Sequence, residues 1–170
     1  MSDEMTDAPS SPEDLFARLE GLGIAFETHH HPPVFTVEEA QAHCSHLPGG
    51  HCKNLLLRDK KKKTYLVVAL DERPIDLKSL PDKIGSGRLS FASADRLWQY
   101  LGVKPGSVTP FALINDPNQE VTVFLDKAMM EEHALLNYHP LQNTMTTAIT
   151  PADLLAFIRD CGHEPTLVAL

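Results

Sequence analysis

Two apolar runs, 54–58 and 64–70, flank Asp59 and the four lysines Lys60, Lys61, Lys62 and Lys63. Short apolar runs on either side of a polar turn read as a β-hairpin, so any fold of this chain has to be built around a sheet. The segments around it are punctuated clearly. Ser11-Pro12-Glu13-Asp14 reads as a helix start, with a serine cap, proline at the first helical position and acids in the first turn. Leu15, Leu19 and Leu22 make its apolar stripe, and Gly21 and Gly23 close it. A short strand is expected over 24–28. After Pro32-Pro33, the Thr36-Val37-Glu38-Glu39 spacing opens a second helix to about His46.

Beyond the hairpin, 76–84 reads as a helix ending at Gly85, and 89–92 as a short strand. Ser93 caps a helix that runs to Leu101 and is closed by Gly102. Residues 104–110 form a Pro/Gly loop. A strand at 121–125, a helix at 127–136, a strand at 144–149, a helix from Thr150-Pro151 to Gly162 and an edge strand at 167–170 complete the chain. Strands and helices alternate irregularly, which predicts an α+β domain with a mixed sheet. No internal repeat, P-loop or dinucleotide fingerprint is present.

At 170 residues the chain has room for one domain and a real core. The expected division is a disordered acidic leader over 1–13 and a folded domain over 14–170. Apolar residues make up 42% and charged residues 22%, an ordinary globular balance. No run approaches the roughly 18 apolar residues that cross a bilayer, and the acidic start has no signal-peptide form. Cys44, Cys52 and Cys161 are few and odd in number, as expected of reduced thiols in a cytoplasm.

The net charge of −8 disfavours indiscriminate nucleic-acid binding, and no DNA or membrane partner is expected. The charge is uneven, however. Residues 1–20 carry six acids against Arg18 alone, whereas 51–63 carry Lys53, Arg58, Lys60, Lys61, Lys62 and Lys63 against Asp59 alone. A basic middle in an acidic chain is the footprint of a local polyanion contact. A solvated hairpin turn accounts for the same lysines equally well.

Four features can carry chemistry. Lys53 opens a buried run after Gly49-Gly50-His51-Cys52, where it can pair with a phosphate or orient a carbonyl. The alternative is a lysine that snorkels from a strand end. The loop from Gly102 through Gly106 to Pro110 can present backbone donors to an oxyanion or phosphate, or simply connect a helix to a strand. His139, within Tyr138-His139-Pro140 and ahead of Asn143-Thr144, can order a water or be a hydrogen-bonded turn residue. The density of His29, His30, His31, His43, Cys44, His46, His51 and Cys52 raises the question of zinc. Only His43 and His46 have helical ligand spacing, so no metal is expected. No cysteine is marked by a neighbouring base as a nucleophile.

Taken in order, His31-Pro32-Pro33-Val34-Phe35-Thr36-Val37-Glu38-Glu39, Gly50-His51-Cys52-Lys53-Asn54-Leu55-Leu56-Leu57-Arg58-Asp59, Gly106-Ser107-Val108-Thr109-Pro110-Phe111 and Tyr138-His139-Pro140 with Asn143-Thr144 resemble the YbaK/ProX prolyl-tRNA editing superfamily. The resemblance spans about 14–168. It implies a single domain with a mixed, barrel-like sheet surrounded by helices, and deacylation of tRNA(Pro) carrying the wrong small amino acid. It needs no cofactor. It puts the family's lysine on Lys53, its glycine loop on Gly106 and Pro110, and its late motif on His139 and Asn143. Substrate contacts fall on Asn54, Ser107, Val108, Thr109, Pro110, Val34, Phe35 and Thr36. The stretch after Pro110 looks more like the branch that clears Ala-tRNA(Pro) than the one that clears Cys-tRNA(Pro). Prolyl-tRNA synthetase is a further expected partner.

The chemistry agrees with this assignment. A prolyl pocket cannot strongly exclude the smaller alanine, because missing methylenes discriminate by only about 1–3 kcal/mol. A second site that rejects proline by size removes the error. The ester to the tRNA is already reactive, so positioning and electrostatics suffice. On this reading the 106–110 loop holds the ester or terminal ribose, and Lys53 meets the terminal phosphate or a substrate oxygen. His139 and Asn143 order the attacking water. Arg58 and Lys60, Lys61, Lys62 and Lys63 meet the acceptor stem. The rival classes are a tRNA- or synthetase-binding module without chemistry and a histidine-based metal hydrolase.

Overall fold

In the computed structural model, which describes residues 9–44 and 46–170, the hairpin is the centre of the molecule. β2 (Gly50–Arg58) and β3 (Thr64–Leu70) pair antiparallel from Cys52↔Leu70 to Arg58↔Thr64. β1 (Glu27–His30), β4 (Ser90–Phe91), β5 (Val121–Asp126), β6 (Leu136–Tyr138), β7 (Met145–Ile149) and β8 (Thr166–Val168) complete an eight-stranded sheet. Its order is β1-β7-β6-β2-β3-β5-β8, with β4 added alongside β2. The sheet is mixed: β2 runs parallel to β6, and β5 runs parallel to both β3 and β8. This is the α+β architecture expected of the chain.

β3 is buried along its whole length because both of its faces are covered. Leu66, Val68 and Leu70 enter the main core, whereas Tyr65 and Val67 enter a smaller one beneath α3 (Leu80–Ile84). The main core is closed by α1 (Pro12–Gly21), α4 (Ala94–Leu101) and α6 (Pro151–Asp160) through Leu15, Leu19, Leu97, Leu101, Leu154, Phe157 and Ile158. α2 (Val37–Cys44) and α5 (Lys127–Glu132) are the remaining helices.

Local chemistry sets the ends of these elements. In α1 the Ser11 hydroxyl accepts from Asp14 N at 3.1 Å while Ser11 N donates to the Asp14 carboxylate at 2.9 Å. Ser93 and Thr150 cap α4 and α6 by accepting from Arg96 N and Asp153 N. The helix expected over 127–136 stops at Glu132, because Leu136–Tyr138 is drawn into the sheet between β2 and β7. The helix expected from 76 begins only at Leu80. The Asp76 carboxylate accepts from Lys78 N at 3.1 Å, an Asx turn that competes with the helix. The strand expected over 24–28 lies later, at Glu27–His30, where β7 fixes its register.

Of the expected leader, residues 1–8 lie outside the described residues. From Pro9 onward the chain is part of the fold: Ser10 N donates to Asn115 Oδ1 at 2.8 Å. The 102–110 loop ends in a 3-10 turn over Pro110–Asn115 that sequence periodicity does not reveal. Phe111 anchors this turn, meeting Tyr138 and Phe157 edge-on at 5.9 and 5.6 Å. Asn115 Nδ2 donates to Leu101 O at 2.8 Å and ties the loop's two ends together. Among the described residues no helix is long and apolar enough to cross a membrane.

Candidate active site

Where β2 leaves its parallel pairing with β6, a cavity of ≈ 430 Å³ opens between the sheet and α2. A space of this size holds a small-molecule-sized group. Asn54, Cys52 and His51 come to it from β2, Asn137 and Tyr138 from β6, His139 from the turn that follows, and Thr146 from β7. Ala40, Gln41 and Cys44 face it from α2, and Asp71 from the end of β3. No lysine or arginine is among these residues. Asn54 Oδ1 and Asn137 Oδ1 are buried acceptors without a hydrogen-bond donor among the described residues.

His139 is held in one tautomer. Its Nδ1 lies 2.9 Å from the Met145 carbonyl, which can only accept, so the neutral ring carries its proton there and Nε2 is the basic nitrogen. Burial pushes the imidazole below its usual range; the Met145 bond opposes this and the nearby His31 adds to it. The His31 and His139 rings lie 6.0 Å apart. His31 Nδ1 meets Pro32 O at 2.8 Å, and its Nε2 meets Thr146 Oγ1 at 2.8 Å. Burial also pushes the Cys52 thiol up to about 12 and keeps the Tyr138 phenol neutral.

Lys53, the neighbour of Asn54, is not part of the cavity wall. Its ammonium donates to the Arg73 carbonyl. Burial lowers its pKa, and the charge of Asp71, which does line the cavity, acts in the opposite sense. Its link to the cavity wall is through the turn that carries both Asp71 and Arg73.

Gly106, Phe35, Val34 and Asn143 form a second cluster. Gly106 has φ of 91°, and a Cβ there would stand 3.0 Å from Phe35 Cδ1 and 3.3 Å from Asn143 Nδ2. Asn143 Nδ2 donates to Val34 O at 2.8 Å, and Val34 N donates to Asn143 O at 3.3 Å. His31 N donates to Thr144 O at 3.0 Å, which joins this cluster to the paired histidines.

The other expected site residues serve the loop or stand apart. Ser107, Thr109 and Pro110 are buried; Thr109 Oγ1 caps the 3-10 turn by accepting from Phe111 N, and Val108 packs on the core. Thr36 Oγ1 accepts from Glu39 N as the cap of α2. Arg58 and the four lysines lie at the other end of β2, with Arg58 about 16 Å from Lys53 at roughly 3.3 Å per strand residue. Their turn is built on Asp59, whose Oδ1 accepts from Lys61 N and Lys63 N at 2.9 and 3.0 Å. The histidine-rich segment is scattered: α2 ends at Cys44, so His43 and His46 do not share a helix. No group of three His, Cys, Asp or Glu side chains that could hold a metal occurs among the described residues.

Sequence reasoning did not find Asp71, Asn137, Thr146, Ala40 and Gln41. Asn137 gave the only signal, as a polar residue between Leu136 and Tyr138 in a buried strand. Asp71 and Thr146 reach the cavity through strand pairing, and Ala40 and Gln41 through the packing of α2.

A family model described as the aminoacyl-tRNA editing domain matches residues 31–157. The chain is 43% identical over 158 residues to prolyl-tRNA synthetase associated domain-containing protein 1 of Bos taurus, covering 91% of this chain and 92% of that protein. It is 40% identical over 150 residues to the prolyl-tRNA editing protein ProX of Acetoanaerobium sticklandii, covering 88% and 91%. Among solved structures, a candidate trans-editing enzyme for prolyl-tRNA synthetase superposes with a TM-score of 0.69 at 21% identity, covering 95% of this chain and 98% of that one, a likeness of fold.

Proposed function

The chain belongs to the aminoacyl-tRNA editing domain family, and on that footing we propose that it is a free-standing deacylase that hydrolyses the ester of mischarged tRNA(Pro), with alanine as the amino acid removed. The cavity carries the reading: a neutral histidine with a free basic nitrogen shares it with buried amide acceptors, and a lysine is bonded to the turn that supplies its Asp71 wall. The likeness to a protein named for prolyl-tRNA editing supports the choice of tRNA. A cytoplasmic setting and an association with prolyl-tRNA synthetase belong to the same proposal.

His139 Nε2 takes a proton from the attacking water, which costs little because the ring is neutral at pH 7. Asn143, locked to Val34, fixes the wall against which Gly106 offers its backbone N–H to the ester oxygen. Lys53 keeps one N–H on the Arg73 carbonyl and has two left for the terminal phosphate or a substrate oxygen. Asn54 contacts the acyl end, and Val34, Phe35 and Thr36 with the 107–110 segment shape the approach. Arg58 and the lysine turn meet the acceptor stem.

The test is single-turnover deacylation of tRNA(Pro) charged separately with alanine, cysteine and proline. Loss of alanine alone is expected, and a folded Lys53→Ala protein should lose the activity. Selective loss of cysteine would move the protein to the sister specificity. No loss from any of the three would reduce it to a binding module.

A further inference from the structure

Resting on the reading of Lys53 as a working residue, we propose that Arg73 is a positioning residue for the editing reaction. Held by Asp126, its side chain fixes the turn after β3, whose backbone carbonyl anchors the Lys53 ammonium and whose Asp71 walls the cavity.

The geometry is a chain of three hydrogen bonds. Lys53 Nζ donates to the Arg73 carbonyl. Arg73 Nε donates to Asp126 Oδ2 at 2.8 Å, and its Nη1 to Leu170 O at 3.3 Å. Asp126 is 1% exposed and sits where β5 meets β8, opposite Val168. The turn's backbone is tied down as well: Asp71 N donates to His51 O at 2.8 Å, and Arg73 N to Leu70 O at 3.1 Å. One arginine thus connects the ends of β3, β5 and β8 to a lysine on β2.

A simpler role for Arg73 is to neutralise a buried carboxylate. That need is real, because a buried charge stripped of its partner is strongly unfavourable. It does not account for where the turn's other groups point. Within three residues, the turn sends a carboxylate into the cavity wall and a carbonyl to the lysine. A lysine has a flexible four-carbon stem and seeks water unless something holds its head. Here the holder is a backbone carbonyl, and a backbone carbonyl is only as fixed as its turn. Asp126 Oδ1 has no donor among the described residues, so the Arg73 guanidinium is what orients this carboxylate.

The test compares Arg73→Ala, Arg73→Lys, Asp126→Asn and Lys53→Ala in the full chain. The readouts are kcat and KM for Ala-tRNA(Pro), thermal melting, and the rate at which acetic anhydride acetylates Lys53, followed by mass spectrometry. In Arg73→Ala, kcat is expected to fall about tenfold or more, as for a reacting group misplaced by a fraction of an ångström. KM stays within about twofold, and Lys53 is acetylated several times faster. Arg73→Lys, which keeps the charge near Asp126, recovers part of both. Asp126→Asn, nearly the same shape, moves kcat and labelling in the same direction as Arg73→Ala and serves if that variant does not fold. Folded Arg73 and Asp126 variants with unchanged kcat and unchanged Lys53 labelling would overturn the proposal while Lys53→Ala remained inactive. A fully active Lys53→Ala protein would instead remove the reading on which the proposal rests.

Discussion

Replacing Gly106 by alanine separates a strained turn from a working loop. Two effects follow from the geometry. Alanine must adopt φ near 91°, a left-handed conformation that costs an L-residue about 1–2 kcal/mol. Its Cβ also meets Phe35 Cδ1 at 3.0 Å and Asn143 Nδ2 at 3.3 Å. Phe35 is 66% exposed and its ring can swing outward, so this close approach adds little to the loss of stability. Asn143 cannot yield so freely, because its Nδ2 is bonded to Val34 O at 2.8 Å. Gly23 is the control: it has φ of 74° and nothing within 4 Å of its Cβ position. Gly23→Ala should therefore show the strain alone, a fall in Tm of about 2–8 °C at the size of this chain. Gly106→Ala should melt within a few degrees of Gly23→Ala, yet deacylate Ala-tRNA(Pro) about 10–100-fold more slowly in single turnover. Gly23→Ala should keep the parent rate. Equal rates for the two variants would refute the placement of the 106–110 loop at the reacting ester.

The pH dependence of deacylation should report His139. Because burial holds its pKa below the usual imidazole range, the ring becomes protonated, and the rate falls, only below about pH 6.5. A single-turnover profile that declines already above pH 7 would exclude this base. The lysine turn should act on binding alone. Changing Lys60, Lys61 and Lys62 together to alanine should raise KM with kcat retained. It should also flatten the dependence of log affinity on log salt, by about 0.9 for each phosphate that the turn no longer neutralises. A fall in kcat at unchanged KM would place these lysines elsewhere in the reaction.

Much of the fold was legible because it is written in local chemistry. The caps at Ser11, Ser93 and Thr150 and the stop at Gly102 set helix ends within a residue or two, and the lysine turn marked the hairpin. What could not be read depends on partners far along the chain. Leu136, Asn137 and Tyr138 carry no strand signal strong enough to end the preceding helix; β2 and β7 do so, by pairing with them. The site divides in the same way. Asn54 and His139 were legible from their motifs and do line the cavity. Asp71 and Thr146 arrive through the register of the sheet, which no local pattern encodes. Lys53 was legible as a residue but not in its direction. Alternation along a strand turns it away from its neighbour Asn54, and its ammonium is held by the Arg73 carbonyl in the turn that also carries Asp71.

Two thiols line the cavity, so attack by cysteine has to be weighed against attack by water. A cysteine attacks as its thiolate, which forms when a base or a positive charge stabilises it. Cys52 has neither: burial raises its pKa to about 12, and Asp71 and Asp126 act in the same direction. The thiolate is therefore disfavoured at pH 7. The Cys44 sulfur is buried and lies 3.7 Å from Thr146 Oγ1, whose hydroxyl is engaged with His31 Nε2. His139 lines the same cavity with Nδ1 on the Met145 carbonyl, which leaves Nε2 as the base of the proposed attack by water. An ester of a ribose hydroxyl leaves readily once attacked, so a neutral imidazole with fixed donors opposite it is sufficient, and a covalent acyl-enzyme is not needed. The burial that keeps the Cys52 thiol protonated therefore favours water over this cysteine as the nucleophile of the proposed deacylation.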